Sequence, residues 1–117
     1  MARTKTGTTR KARHNKVLGL TSGFRGTNNR LYKRAKEALL HAGQYAFVGR
    51  KNRKRDIRAL WITRISAAVK QADATYNYSQ FMKDLKVANV ELNRKMLSEL
   101  AIADFSTFTQ LVSKVRS

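Results

Sequence analysis

A dense cationic segment lies directly before an apolar helix face, and no fold can bury both in one core. Six of the nine residues from Arg50 to Arg58 are Arg or Lys, and large apolar residues follow at Leu60, Trp61, Ile62 and Ile65. Charges at this density repel one another and are costly to remove from water without partners. We therefore predict that residues 50–58 stay at a surface or against a polyanion, while the residues after them enter a core.

The excess positive charge is concentrated in the first half of the chain. The 117 residues include 25 Lys and Arg against 7 Asp and Glu, which gives a formal net charge of +18. Residues 1–58 carry +15 of this charge, and residues 59–117 carry +3. A polyanionic partner would relieve the self-repulsion. We predict a basic RNA-binding extension over 1–58, with a flexible start and then a long helix, and a small globular helical domain over 59–117.

The spacing of apolar residues predicts an all-α protein. From Thr27 to Ala72 small and apolar residues recur in steps of three and four, which indicates one helix from about residue 28, capped by Asn28 or Asn29. A straight helix over 28–72 would be about 65 Å long, too long for a globule of this size to bury. Gly43 lies inside it and weakens it by about 1 kcal/mol relative to Ala, as does Gly49, so we expect a kink there.

Three shorter amphipathic helices are predicted in the second half. Their starts are assigned to Ser79, to Asn93 or the Val90–Glu91 pair, and to Ser106. No strand-like alternation and no internal repeat is found. The predicted fold is all-α, with a long basic N-terminal helical extension followed by a small C-terminal helical bundle.

The predicted core follows from the same helical spacing. Trp61 is assigned to the core rather than to base stacking, because its apolar neighbours recur at helical intervals. The predicted core residues are Ile57, Leu60, Trp61, Ile65, Phe81, Leu85, Leu92, Leu97, Leu100, Phe108, Leu111 and Val112.

The basic half is predicted to bind RNA. Arg and Lys neutralise phosphates and release counterions, which gives affinity without reading sequence. A charge run is otherwise a solvated face, but here Arg outnumbers Lys ten to seven over 1–58 and aromatic residues interleave the cations. Arg planes and aromatic rings stack on unpaired bases. The predicted RNA-binding residues are Arg3, Lys5, Arg10, Lys11, Arg13, His14, Lys16, Phe24, Arg25, Arg30, Tyr32, Lys33, Arg34, Arg50, Lys51, Arg53, Lys54, Arg55, Arg58 and Arg64.

Three further expectations concern how this RNA contact is made. Gly23 and Gly26 would allow another chain to approach the backbone closely. The first 25 or so residues, which have few large apolar groups, are expected to be disordered alone and to order on RNA. The C-terminal domain is expected to add contacts from Arg64, Lys70, Lys86, Arg94 and Lys95.

Other functional classes find little support. The only histidines, His14 and His41, have no Cys or paired carboxylates near them, and no glycine-rich phosphate loop is present, so we predict no enzyme, no metal and no cofactor. No apolar run is long enough for a membrane span, and the basic start has no apolar segment typical of a secretory signal. A surface-seeking helix would need one wide apolar face, which residues 50–58 do not offer.

Four segments resemble the L20 family of bacterial large-subunit ribosomal proteins, nearly collinearly from about Ala2 to Val115. They are ARHNKVLGLTSGFRG, NRLYKRAKEALLHAGQYAF, RKNRKRDIRALWITRISAA and YSQFMKDLKVANVELNRKMLSELA. The most specific piece is RKRDIRALWITRI. After GQYAF the family tends to continue with charged residues, whereas Val48 and Gly49 intervene here.

The resemblance implies a basic helical arm buried in large-subunit ribosomal RNA, a small domain docked on an RNA junction and a role in early assembly of the subunit. The implied partners are this RNA, neighbouring ribosomal proteins and, in some bacteria, the protein's own messenger RNA, whose translation it represses. The implied location is the ribosome in the cytoplasm, or alternatively an organellar ribosome. The alternatives are an architectural DNA-binding protein and a basic protein that acts on membranes or binds a partner helix.

Overall fold

The computed structural model describes residues 3–117, which form five α-helices and one short 3-10 helix. The α-helices are α1 (Gly7–Leu20), α2 (Tyr32–Ala72), α3 (Tyr78–Val87), α4 (Arg94–Ala103) and α5 (Phe105–Arg116), and the 3-10 helix is Gly26–Asn29. No strand occurs in this part of the chain. The all-α prediction, with a long helix before shorter ones, is confirmed.

The chain divides into two compact units, and α2 contributes to both. The first unit ends at Lys51, and the second runs from Asn52 to Ser117. The sequence-based division falls later along α2, after Arg58, and stays a prediction. Most of the cationic segment therefore belongs to the second compact unit.

The long helix α2 begins later than its pattern suggested. Asn28 and Asn29 lie in the 3-10 helix rather than at the start of α2, so the prediction that one of them caps it is wrong. The helix assignment continues without interruption through Gly43 and Gly49. Ala42 and Gln44 adjoin Gly43, and Arg50 and Lys51 follow Gly49; these good helix formers offset part of the local cost of each Gly.

In the first unit, two glycines shape the segment that follows α1. Gly23 has φ of 85° and Gly26 has φ of 68°, values that L-residues with a side chain rarely adopt. A Cβ added at either position would meet no atom within 4 Å. The positive φ angles account for both glycines without any close neighbour in the described chain, and the close approach of another chain stays a prediction.

The second unit has a core built from one end of α2 and from α3–α5. Its buried members are Ile65, Ala68, Val69, Tyr76, Phe81, Leu85, Leu97, Phe108, Val112 and Val115. Leu92, Leu100 and Leu111 are half-buried and pack against this cluster. Tyr76, which the sequence did not nominate, is 4% exposed and donates a 2.6 Å hydrogen bond to Asp84. Burial and then this hydrogen bond raise the pKa of Tyr76.

Three residues predicted for the core lie outside it. Leu60 is 46% exposed, and Ile57 and Trp61 are only half-buried and belong to no part of the core cluster. The assignment of Trp61 as a core anchor is therefore wrong, as are those of Ile57 and Leu60. Ile65 is the first residue of α2 in the core cluster, and the same helix face is partly exposed before it.

Polar side chains cap the N-termini of the short helices α3, α4 and α5. In two of these helices the capping residue differs from the predicted one. Asn77, not Ser79, caps α3, and its side chain accepts from the Gln80 N–H at 3.0 Å while Gln80 accepts from the Asn77 N–H. Asn93, one of the two alternatives left open for the start of α4, caps that helix. Asp104, not Ser106, caps α5. In both errors the true cap lies two residues earlier.

We expect the substitution Asn77→Ala to lower the free energy of unfolding by about 1 kcal/mol, because it removes the side-chain oxygen that accepts from the Gln80 N–H. Urea unfolding followed by circular dichroism measures this change. Asn77→Asp keeps an acceptor and is the matched control. Equal stability of the Ala and Asp variants would show that the cap contributes nothing.

The cap of α5 predicts a pH dependence. Hydrogen bonds from Ser106 and Thr107 lower the pKa of Asp104 from 3.8 to about 2. Because the folded pKa is the lower one, the stabilisation is complete above pH 3.8 and is lost as the pH falls through about 2. We expect the stability difference between the wild type and Asp104→Asn to shrink over this interval in urea titrations. A difference that is constant from pH 5 to about pH 2 would contradict the assignment.

Candidate nucleic-acid interface

The cationic residues nominated from the sequence are all on the surface. Each of the 17 Arg and Lys residues predicted to bind RNA is exposed, from Arg3 in the N-terminal segment to Arg64 in α2. Within residues 3–117 the structure has two salt bridges, and only one of them, Arg34 with Glu37 at 3.4 Å, uses a nominated cation. Most of this charge is therefore not neutralised by carboxylates of the described chain.

The segment from Arg50 to Arg58 concentrates like charges on one helix. At about 100° per residue its six cations cover an arc of about 200°, more than half of the helix circumference. Six pairs of these cations are three or four residues apart, and each such pair destabilises a helix by a few tenths of a kcal/mol at low salt. The single acid, Asp56, forms no salt bridge among the described residues. A polyanion along this arc would convert the repulsion into attraction.

In the first unit, two of the nominated rings stack on each other. The ring centroids of His14, on α1, and Tyr32, at the start of α2, lie 3.8 Å apart with an interplanar angle of 14°. Both residues are half-buried. Part of each ring is thus used to join two elements of the first unit, and only the remaining surface is open to a base.

The third nominated ring lines a hollow in the first unit. Phe24 and Arg34 border a space of about 480 Å³ together with Asn28, Glu37, Ala38, His41 and Ala42. Glu37 lies in this lining and pairs with Arg34, so the hollow is not uniformly positive. His41, which the sequence did not nominate, also reaches it.

The second unit carries a more uniformly basic pocket of about 520 Å³. Its lining consists of Lys54, Arg55, Arg58, Trp61, Asn93, Arg94 and Lys95. Lys54, Arg58 and Trp61 are spaced i, i+4 and i+7, which places them on one face of α2. The lining has five cations and no carboxylate. Cations from α2 and from the start of α4, far apart in sequence, thus meet at one site.

The sequence had named most of these residues but had not brought them together. Arg94 and Lys95 were expected as RNA contacts of a separate domain, and Trp61 as core. Their meeting with Lys54, Arg55 and Arg58 depends on how α4 packs in the second unit, which no local pattern encodes. The one available signal was that Trp61 follows Lys54 and Arg58 at helical spacing.

The described residues form neither a membrane-spanning helix nor a metal site. None of the helices between residues 3 and 117 is both long and apolar enough to cross a bilayer. That same part of the chain holds no group of three or more His, Cys, Asp or Glu placed to bind a metal ion.

The fold is all-α, and most of its cations are exposed and unpaired. These features define a basic helical protein with a surface suited to binding a polyanion. The model of the family described as Ribosomal protein L20 matches residues 3–111. The chain is 49% identical over all 117 residues to proteins named large ribosomal subunit protein bL20 from Burkholderia cenocepacia (strain HI2424), Burkholderia mallei (strain SAVP1) and Burkholderia pseudomallei (strain 668), covering 97% of each. The chain belongs to the ribosomal protein L20 family, as its sequence predicted.

The helix α1 provides a prediction about the free protein. None of its 14 residues is buried, and isolated helices of this length are marginal in water. We therefore expect α1 amides to exchange rapidly in the free protein and slowly when RNA covers them. Hydrogen exchange with and without large-subunit ribosomal RNA measures this, with α5, whose Phe108, Val112 and Val115 lie in the core, as the internal reference. Slow exchange in α1 without RNA would contradict the expectation.

Proposed function

We propose that this protein is a structural component of the large ribosomal subunit that binds ribosomal RNA directly. The observation that carries the proposal is the exposed and largely unpaired cationic surface from Arg3 to Arg64. Membership of the L20 family and the names of the relatives support the subunit as the setting. The bacterial relatives favour a bacterial ribosome in the cytoplasm over an organellar one.

The proposed mechanism is electrostatic clamping. Packed RNA helices repel one another through their phosphates, and cations placed between them lower this repulsion. The arc of cations over residues 50–58 is wide enough to face more than one RNA segment. The same mechanism implies a role early in subunit assembly. RNA segments that the protein holds together limit the ways in which the rest of the RNA can fold afterwards.

The second unit would add further RNA contacts, which fix the position of the protein on the RNA. Lys70, Lys86 and Lys95 are exposed, and Arg94 is half-buried and donates from Nε to the Tyr78 hydroxyl at 2.8 Å. This bond restricts the Arg94 guanidinium, and a restricted guanidinium loses less entropy when it binds. Neighbouring ribosomal proteins are further expected partners. Repression of the protein's own messenger RNA would reuse the same surface, and no catalytic role or cofactor is proposed.

The proposal is tested by titrating the purified protein with large-subunit ribosomal RNA and with duplex DNA of equal charge at several salt concentrations. Affinity for both should fall with salt, with a log–log slope of roughly −0.7 to −0.9 per neutralised phosphate. A strong preference for the RNA at the highest salt is the expected result. Coinciding curves would instead favour the architectural DNA-binding alternative.

Charge-removing variants test the clamp itself. We expect Arg53→Gln with Arg55→Gln to reduce the magnitude of the salt slope by up to about 2, because each Arg that contacts a phosphate accounts for nearly one unit. The matched control is Lys83→Gln with Lys114→Gln, which removes the same charge from exposed positions on α3 and α5. Equal effects of the two pairs would mean that net charge alone governs binding.

A further inference from the structure

The basic pocket of the second unit contains one group that phosphate binding does not require, the indole of Trp61. The side chain is half-buried rather than enclosed, and it lines the pocket beside five cations. Among the described residues it takes part in no aromatic stack and no cation–π contact. A tryptophan left in this state exposes costly apolar surface to water.

The lining defines the chemistry of what would cover this ring. Five cations and no carboxylate select an anion, and the indole selects a flat π surface. The volume of about 520 Å³ falls in the range of pockets that hold small ligands, about 300–1,000 Å³. A nucleotide combines a phosphate with a flat base and meets both requirements. Simple phosphate neutralisation would not use the ring.

We propose that Trp61 stacks on an unpaired RNA base held in this pocket, while Lys54, Arg58 and Lys95 contact the flanking phosphates. The inference rests on the proposed function and deepens it by assigning a base-binding residue. The base is unpaired because a base inside a duplex has both faces covered by its neighbours, whereas a splayed base offers one face to an aromatic ring.

The geometry of the two helices supports this assignment. Lys54 and Arg58 precede Trp61 by seven and three residues on one face of α2, so both cations follow one another along the helix on the N-terminal side of the ring. Arg94 is tied to Tyr78 by its Nε bond, and Asn93 is held as the cap of α4 by its bond from the Met96 N–H at 2.9 Å. The wall opposite α2 is therefore restrained before any ligand arrives, which lowers the entropy cost of binding.

Trp61 is the only tryptophan of the chain, so its intrinsic fluorescence reports on this pocket alone. The full-length protein is titrated with large-subunit ribosomal RNA and, separately, with a blunt RNA duplex whose bases are all paired. The expected result is strong quenching by the ribosomal RNA and little quenching by the duplex at an equal bound fraction. Equal quenching by the two would mean that nearby charge, not stacking, alters the fluorescence, and would overturn the inference.

Variants give a second, independent readout, measured as retention of labelled ribosomal RNA on a filter. Trp61→Leu should weaken binding by roughly fivefold to 150-fold, the range for losing one stacked base, with the salt slope unchanged. Trp61→Phe keeps a ring and should retain most of the affinity. Arg58→Gln should instead reduce the salt slope. Circular dichroism confirms that each variant is folded.

The outcomes separate this inference from the proposed function. If the wild type shows no preference for ribosomal RNA, the proposed function fails. If the preference holds but Trp61 is not quenched and Trp61→Leu binds like the wild type, only the base-stacking inference fails. Should Trp61→Leu prove unfolded, the fluorescence of the unmodified protein still decides.

Discussion

Mutual repulsion among the cations of Arg50–Arg58 is the constraint on which the account of this protein depends. Nothing in the described chain neutralises these charges, since the salt bridges formed elsewhere leave them unpaired. The helix fixes the spacing of their backbone positions, so only movements of the side chains can separate the charges. A polyanion that covers this surface would relieve the repulsion, and we propose that this polyanion is large-subunit ribosomal RNA.

The same helix serves two purposes in succession. Up to Arg58 its sequence is dominated by charge, and from Ile65 its apolar side chains join α3–α5 in a core. Trp61 lies between these two stretches and belongs to neither. Trp61 lines the basic pocket together with Arg58 and residues at the start of α4. An apolar side chain outside the core can bind a ligand here, because the neighbouring cations would hold the ligand against it.

Periodicity was sufficient to predict the all-α class, the long helix and most of the core. It placed Phe81, Leu85 and Phe108 in positions that the structure buries. It failed where burial depends on a neighbour: Leu60 and Trp61 have the helical spacing of core residues, but neither belongs to the core that α2 forms with α3–α5. Tyr76 was missed because it lies between helices, where no period applies, and its burial depends on the bond to Asp84. The predictions of Ser79 and Ser106 as caps are wrong because several polar residues near each helix start can cap it, and only the backbone geometry selects Asn77 and Asp104.

The most direct test uses the absence of cysteine from the sequence, which allows one introduced cysteine to be labelled uniquely. Asn52→Cys lies inside the cationic segment, and Gln110→Cys is an exposed control on α5. Each variant carries a tethered iron chelate, is assembled into large subunits and is used to generate hydroxyl radicals. The account predicts strong cleavage of ribosomal RNA from position 52, in several RNA segments at once, because the cations there bridge them. Incorporation of the labelled protein without RNA cleavage from position 52 would contradict it.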